Sequence, residues 1–224
     1  MTSQQPGNSL KESYIGLRTD IIGMLEGEAS ATILDVGCAT GVNGAYLLDH
    51  GHAKEVYGIE YDAVMANLAK DRYREVWQGD IEAMQFTELF KDLRFDCLIF
   101  GDILEHLRDP QLILNDLLAF LRPGGRVVIS VPNMQHVSAL WTLAAKGYWP
   151  RNDRGIFDRT HLQVFTRKNL IELVESSGLE VEQLQRVFRY RDRLGSQFPI
   201  YGRLLKVAFP DYYTFQYLVL AKKP

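Results

Sequence analysis

The chain has 224 residues, 46% hydrophobic and 24% charged, which suits one α/β domain with a substantial core. A formal net charge of −3 argues against an electrostatic grip on long nucleic acid, which needs a basic face, so no nucleic-acid partner is expected. The two cysteines, Cys38 and Cys97, lie far apart in apolar surroundings, no basic-then-apolar leader opens the sequence, and no apolar run approaches the ~18 residues of a membrane span; a disulfide framework is not expected and a cytoplasmic protein is.

"MTSQQPGNS" reads as a loose tail over residues 1–10, before a single domain over 11–224. "YIGLRTDIIGML" carries apolar residues at helical spacing, and "TILDVG" is a short buried-strand pattern. "VNGAYLLDHG" predicts a helix closed by Gly51. "EVYGIEYD" is the second strand, "AVMANLAKDR" a helix, "YREVWQGD" the third strand and "FDCLIFGD" the fourth. "PQLILNDLLAFLRPGG" predicts a helix with Pro110 near its start and Pro123-Gly124-Gly125 as its stop. "RVVISVPN" is the fifth strand. "RKNLIELVESSG" is an amphipathic helix ending at Gly178, "LEVEQLQRVFRY" alternates like a strand, and "YYTFQYLVLAKK" is the last strand. "IYGRLLKVAF" between them is mildly basic and amphipathic. It reads first as a helix covering the sheet, and second as a segment in transient contact with a membrane surface that carries a lipid-linked sugar. Alternating strands and helices predict a doubly wound, Rossmann-like α/β domain. Its seven-stranded sheet is mostly parallel, with an antiparallel edge hairpin from the two late strands.

In such sheets ligands sit at the carboxyl ends of the strands. "ILDVGCATG" ends the first strand in Asp35 and turns through Gly37, Cys38, Ala39 and Gly41, small residues that let a ligand approach backbone. The spacing of Gly37, Ala39, Gly41 and Gly44 does not match the dinucleotide pattern G-x-G-x-x-G, and Asp35 favours a ligand with positive charge. Glu60, about 20 residues beyond the turn, stands where an acid meets ribose hydroxyls. Asp80 ends the third strand, placed to accept from an exocyclic amine, with Ile81 to cover a purine face. Together these tips describe an adenosine with a cationic tail, S-adenosylmethionine.

"ILDVGCATG", "YGIEYD", "QGDIEAM", "FDCLIFGDILEHLRDP" and "LRPGGRVVISVPN" resemble the ordered motifs of class I S-adenosylmethionine-dependent methyltransferases, from about Tyr14 to the C-terminus. The resemblance implies that Asp35, Gly37, Cys38, Ala39 and Gly41 hold the methionine portion. Glu60 with its neighbour Tyr61 would hold the ribose, and Asp80 and Ile81 the adenine. Gly101 and Asp102 would lie at the methionine end, where Tyr14 and Arg18 would cover the carboxylate. Ala39 departs from the family, which usually has glycine there.

Methyl transfer to a hydroxyl needs positioning and a route for the proton, by a base or a metal. In "GDILEHLRDP", Asp102, Glu105 and His106 are spaced i, i+3, i+4, facing one side if the segment forms a helical turn. "IFDRTHLQVFTRKNL" adds His161. The arrangement resembles metal-dependent O-methyltransferases, including ubiquinone-pathway and small-RNA enzymes, and implies that Asp102, Glu105, His106 and His161 bind one divalent ion. Such a set suits Mg²⁺ or Mn²⁺, with Zn²⁺ as a further candidate. Family members often carry glutamate where Asp102 stands. Leu-Glu-His also occurs in methyltransferases without metal, so ligand, general base and shaping residue are all open roles for His106 and His161. His50 and His52 read as surface loop residues, and His136 has a weaker claim.

Residues 134–165 read as a lid-like insertion, rich in Trp141, Tyr148, Trp149 and Phe157 with Arg151, Arg154 and Arg159 interleaved. "SVPNMQH", "GYWP", "GIFDRTHLQVFT" and "YYTFQYLVLAKKP" resemble bacterial methyltransferases associated with glycosyltransferases in cell-surface polysaccharide biosynthesis, which implies a saccharide or glycan-precursor hydroxyl as acceptor. The alternatives are a quinone- or phenol-type small-molecule O-methyltransferase and a cofactor-binding scaffold or regulatory subunit with the same fold. RNA is a third acceptor class, disfavoured by the acidic balance.

Overall fold

The computed structural model describes residues 16–25, 30–189 and 200–224. Seven strands form one sheet in the order β3-β2-β1-β4-β5-β7-β6. They are β1 (Ser30–Val36), β2 (Ala53–Glu60), β3 (Glu75–Gln78), β4 (Phe95–Gly101), β5 (Leu121–Pro132), β6 (Glu180–Phe188) and β7 (Thr214–Lys222). The first five pair in parallel, whereas β7 runs antiparallel to both β5 and β6. The expected sheet and its antiparallel hairpin are therefore present, with the last strand inserted inside the hairpin edge.

The nine helices among the described residues are α1 (Thr19–Gly23), α2 (Val42–Asp49), α3 (Ala63–Ala69), α4 (Phe86–Phe90), α5 (Pro110–Leu118), α6 (Val137–Lys146), α7 (Arg167–Ser176), α8 (Ile200–Ala208) and α9 (Pro210–Tyr213). The period of two along each strand sorts apolar side chains to two faces. Leu34, Val36, Leu98, Phe100, Ile129 and Val131 pack with α4, α5 and α7. Ile33, Val56, Cys97, Ile99 and Val128 pack with α1, α2 and α3. Both cysteines are buried and free. Helix starts follow local chemistry: Asp62 accepts from Val64 N and Met65 N, and Asp109 accepts from Leu112 N with Pro110 at the first helical position.

Two expectations about elements are corrected. α5 ends at Leu118, and "LRPGG" belongs to β5, where Leu121 pairs with Phe95 before a register shift. Gly124, at φ +74°, takes up that irregularity within the strand and so does not stop the helix. α8 does not cover the sheet: Gly202 is its one buried residue among those with described side chains, and Arg203, Leu204, Leu205, Val207 and Ala208 are exposed. The helical pattern around Tyr14 begins outside the described residues, which contain α1 only from Thr19.

Candidate active site at the carboxyl edge of the sheet

The turn after β1 combines three positive φ angles, Gly37 (73°), Ala39 (48°) and Gly41 (78°). Glycine accepts this region freely, whereas alanine is strained there. Glu60 holds the strained residue in place. Its Oε2 accepts from Ala39 N at 2.8 Å and its Oε1 from Asp62 N at 2.8 Å, so one buried carboxylate ties the β1 turn to the loop after β2. The turn also contains a buried hydroxyl, Thr40 Oγ1, with no hydrogen-bond partner. Buried polar atoms are normally satisfied, so this orphan fits a polar ligand lying on the turn, as an S-adenosylmethionine site requires.

Asp35 is only 3% exposed, and its Oδ2 accepts from the Tyr73 hydroxyl at 2.7 Å. The same hydroxyl accepts from Gly44 N at 3.0 Å. Burial pushes the Asp35 carboxyl up to about 6; the Tyr73 bond opposes this and the charge of Glu60 adds to it. Asp35 thus supports the turn from beneath, whereas the sequence reading has it face the ligand. Gly44 has its own reason: a Cβ there would lie 2.3 Å from Tyr73 Oη.

The other strand tips differ in exposure. Tyr61 is 74% exposed. Asp80 is exposed and its Oδ1 caps the short 3₁₀ turn Ile81–Ala83 by accepting from Glu82 N at 3.0 Å. Ile81 is buried in the cluster that includes Trp77 and Phe86, so its side chain is largely committed to the core. Tyr14 lies outside the described residues.

At the tip of β4, Gly101 precedes Asp102, whose φ is +58°. The Asp102 carboxylate accepts from Arg18 Nη1, from Ser130 Oγ at 2.7 Å and from Gln216 Nε2. Arg18 also donates to Asp20 at 2.9 Å and to Ser130 Oγ at 2.9 Å. Burial works against the Arg18 charge, but Asp102 and Asp20 outweigh it and hold the guanidinium above its ordinary value. Arg18 therefore stands at the expected end of the site, already paired with two carboxylates.

Beyond Asp102 a 3₁₀ turn, Leu104–His106, presents Glu105 and His106. Glu105, His106 and His161 each offer a ligand atom within 4.8 Å of one another. Asp102 does not join them, because the backbone reverses at its positive φ and its oxygens are taken by Arg18, Ser130 and Gln216. Glu105 is 1% exposed, and Glu105 Oε2 and His161 Nδ1 are buried without hydrogen-bond partners. Burial, reinforced by the charge of Asp102, raises the Glu105 carboxyl well above the usual range. Burial, reinforced by His106, lowers His161. Two orphaned atoms beside a third donor fit an added ligand, a divalent ion or a substrate polar group.

His106 is oriented from the lid-like segment. Asp158 Oδ1 accepts from Thr160 N at 2.8 Å and from Thr160 Oγ1 at 2.6 Å. That donation uses the single hydroxyl proton of Thr160. His106 Nδ1, 3.0 Å from Thr160 Oγ1 and 3.3 Å from the Thr160 carbonyl oxygen, must then be the donor. In the neutral imidazole the proton therefore sits on Nδ1, and Nε2 keeps the lone pair. The segment is anchored on the same turn, since Leu162 N and Gln163 N both donate to Glu105 O at 2.8 and 3.0 Å. His136 belongs to the scaffold: it caps α6 at Ser138 N, and its Nε2 donates to Arg189 O at 2.9 Å. His50 stacks on Tyr46 in its own helix turn.

Tyr73, Ser130, Gln216, Asp158 and Thr160 are absent from the sequence reading. Tyr73, Ser130, Gln216 and Thr160 act across at least 28 residues of chain, and Asp158 acts through Thr160, so no local spacing marks them. Only Asp158 and Thr160 carry a usable sign, two polar residues just before His161.

Residues 14–184 match the family model of a methyltransferase domain. A ubiquinone biosynthesis O-methyltransferase of Coxiella burnetii is 29% identical over 153 residues, which cover 66% of this chain and 63% of that protein. The match thus spans less than two thirds of the relative's length. Among solved structures, a methyltransferase of Archaeoglobus fulgidus superposes with a TM-score of 0.63 at 17% identity, covering 95% of this chain and 97% of that one. An N-methyltransferase of Bradyrhizobium japonicum in complex with S-adenosyl-L-homocysteine gives 0.56 at 16% identity, covering 92% and 85%. These two likenesses bear on fold, and the family match covers most of the chain: it belongs to the class I S-adenosylmethionine-dependent methyltransferase-domain family.

Proposed function

We propose that this protein transfers the methyl group of S-adenosylmethionine to a hydroxyl oxygen. The observation that carries the reading is the cluster of Glu105, His106 and His161 at the tip of β4, one strand from the cofactor turn. Displacement at a sulfonium needs alignment first, which the turn after β1 and Glu60 supply by holding the cofactor. The acceptor must also lose its proton. In its neutral form His106 carries its proton on Nδ1, where it donates to Thr160, so Nε2 is the group to receive it. Where a divalent ion is bound, Glu105, His106 and His161 would hold it, and it would supply a lowered pKa for the acceptor hydroxyl. With Asp102 turned away, two imidazoles and one carboxylate favour Mn²⁺ or Zn²⁺ over Mg²⁺.

The acceptor we favour is a saccharide or glycan-precursor hydroxyl. Tyr148 and Trp149, with Arg151 and Arg154 beside them, are exposed on the lid-like segment, a combination suited to stacking on a sugar and pairing with its phosphate. A phenolic or quinol hydroxyl is the second reading, favoured by the ubiquinone biosynthesis relatives. Calorimetry of metal-stripped protein with S-adenosylmethionine, with and without Mn²⁺, followed by mass spectrometry of nucleotide sugars and catechols, tests both. Methylation of an oxygen that is lost in His106→Ala supports the reading. Transfer to nitrogen alone, or full activity of His106→Ala, refutes it. Cofactor binding with no transfer to any acceptor class favours the scaffold.

A further inference from the structure

We propose that α6 and α8 form a rim that docks the protein on an anionic lipid bilayer, with the carboxyl edge of the sheet towards the membrane. Strand register fixes where these helices stand. Pro132 at the end of β5 lies opposite Gln216, and Phe188 at the end of β6 opposite Thr214 at the start of β7. The chain leaves β5 into α6 and enters β7 from α8 and α9, so both helices lie at the edge that also carries Asp35, Glu60 and Glu105. Contacts tie them there: His136 at the start of α6 bonds Arg189 O, and Lys206 on α8 sits 4.6 Å above the Phe188 ring.

Neither helix spends its apolar side chains on the core. α6 buries Ala139 alone and exposes Leu140, Trp141 (65%) and Leu143. α8 exposes Leu204 (73%) and Val207 (79%), and Phe209 follows it exposed. Isolated exposed leucines are ordinary, but Leu140, Trp141 and Leu143 on one helix and Leu204, Leu205 and Val207 on another at the same sheet edge, with Phe209 after it, mark an interaction surface.

The charge around them names the occupant. Residues 137–168 and 200–209 hold eight Lys/Arg against two Asp/Glu, in a chain that is acidic overall. Lys146, Arg151, Arg154 and Arg203 are exposed and have no ion-pair partner among the described residues. A second copy of the chain, joined through a twofold axis, would set this positive rim against itself. Nucleic acid would satisfy the cations and leave the leucine and valine side chains in water. A bilayer with anionic headgroups satisfies both, and short amphipathic basic helices lie in that interface without crossing it. No described helix is long and apolar enough to cross a membrane, consistent with contact from one side.

The test is co-sedimentation of the full chain with vesicles of equimolar phosphatidylglycerol and phosphatidylethanolamine, compared with pure phosphatidylcholine. Wild type is expected to pellet with the anionic vesicles and to be released by salt. Leu204→Glu/Val207→Glu, and separately Trp141→Glu, are expected to weaken binding roughly tenfold or more. All three sites are exposed, and unchanged affinity for S-adenosylhomocysteine reports that the fold is intact. Wild type left in the supernatant overturns the proposal, as does undiminished binding by the variants. A concentration-dependent dimer in sedimentation velocity, abolished by the double variant in the absence of vesicle binding, assigns the rim to a second copy and overturns it too.

Discussion

Tyr73→Phe removes one oxygen and disconnects two buried groups. In the native protein that hydroxyl donates to Asp35 Oδ2 at 2.7 Å and accepts from Gly44 N at 3.0 Å. Above the Asp35 value of about 6 the carboxylate is charged. Loss of a charge-assisted bond there costs about 1.5–3 kcal/mol, and the unpaired Gly44 N–H about 1–2 kcal/mol more. The sign of the pH dependence follows from linkage. Asp35 is raised by folding, so its contribution is fully present below the ordinary carboxylate value and is lost as pH rises through about 6. Tyr73 limits that loss by holding the value down, and the variant loses this protection. Expected destabilisation is therefore about 2.5–5 kcal/mol at about pH 7.5 but about 1–2 kcal/mol at about pH 4.5, where the carboxyl is neutral. Urea unfolding followed by circular dichroism at the two pH values measures it. Against a total stability of about 5–15 kcal/mol the difference is large. Equal losses at both pH values, or a loss under about 1 kcal/mol at the higher one, would show that Tyr73 does not seal the turn.

Ala39→Gly relieves a non-glycine residue at φ +48°, and should leave cofactor binding intact while changing stability by about 0–1 kcal/mol in the stabilising direction; a lower melting temperature contradicts the strain argument. Glu60→Ala should weaken S-adenosylmethionine binding by about 1.5–3 kcal/mol, read by calorimetry, through loss of charge-assisted bonds and of the clamp on Ala39 N and Asp62 N; unchanged affinity would place the ribose elsewhere. Thr160→Val should lower turnover roughly tenfold at unchanged cofactor affinity, with Thr160→Ser restoring it. Nitrogen chemical shifts of labelled histidine should show His106 moving from the Nδ1–H form to a mixture, and an unaltered tautomer would remove Thr160 from the relay.

The sheet was legible because each strand carries its own short signal, an apolar run ending at a polar tip. Glu60, Glu105 and His106 were legible for a related reason: a strand tip and a short turn fix their positions from local sequence, whereas His161 joins them from a distant segment that only the family resemblance pointed to. What failed was direction. Asp102 shares the i, i+3, i+4 spacing with Glu105 and His106, but the reversal at its positive φ sends it to Arg18. Asp35 faces Tyr73, and Ile81 the core, because side-chain direction depends on neighbours 38 residues away or on another helix. α8 departs from expectation for the opposite reason. Its pattern is amphipathic, and amphipathicity tells that a face seeks cover without telling what covers it.

The position of β7 bears on how the chain assembles during synthesis. β1 to β5 pair with neighbours made before or soon after them, yet among the described residues β6 has no strand partner but β7, and β5 joins β7 across about 84–96 residues, Pro132 to Gln216 and Arg126 to Lys222. While residues 214–222 are still in the ribosome, β5 presents an open edge and β6 has nothing to pair with, the state in which strands recruit wrong partners. Gln216 arrives on the same strand and completes the Asp102–Ser130 cluster at the tip of β4. The nascent protein therefore gains its closed sheet edge and the last polar wall of its candidate active site in one event.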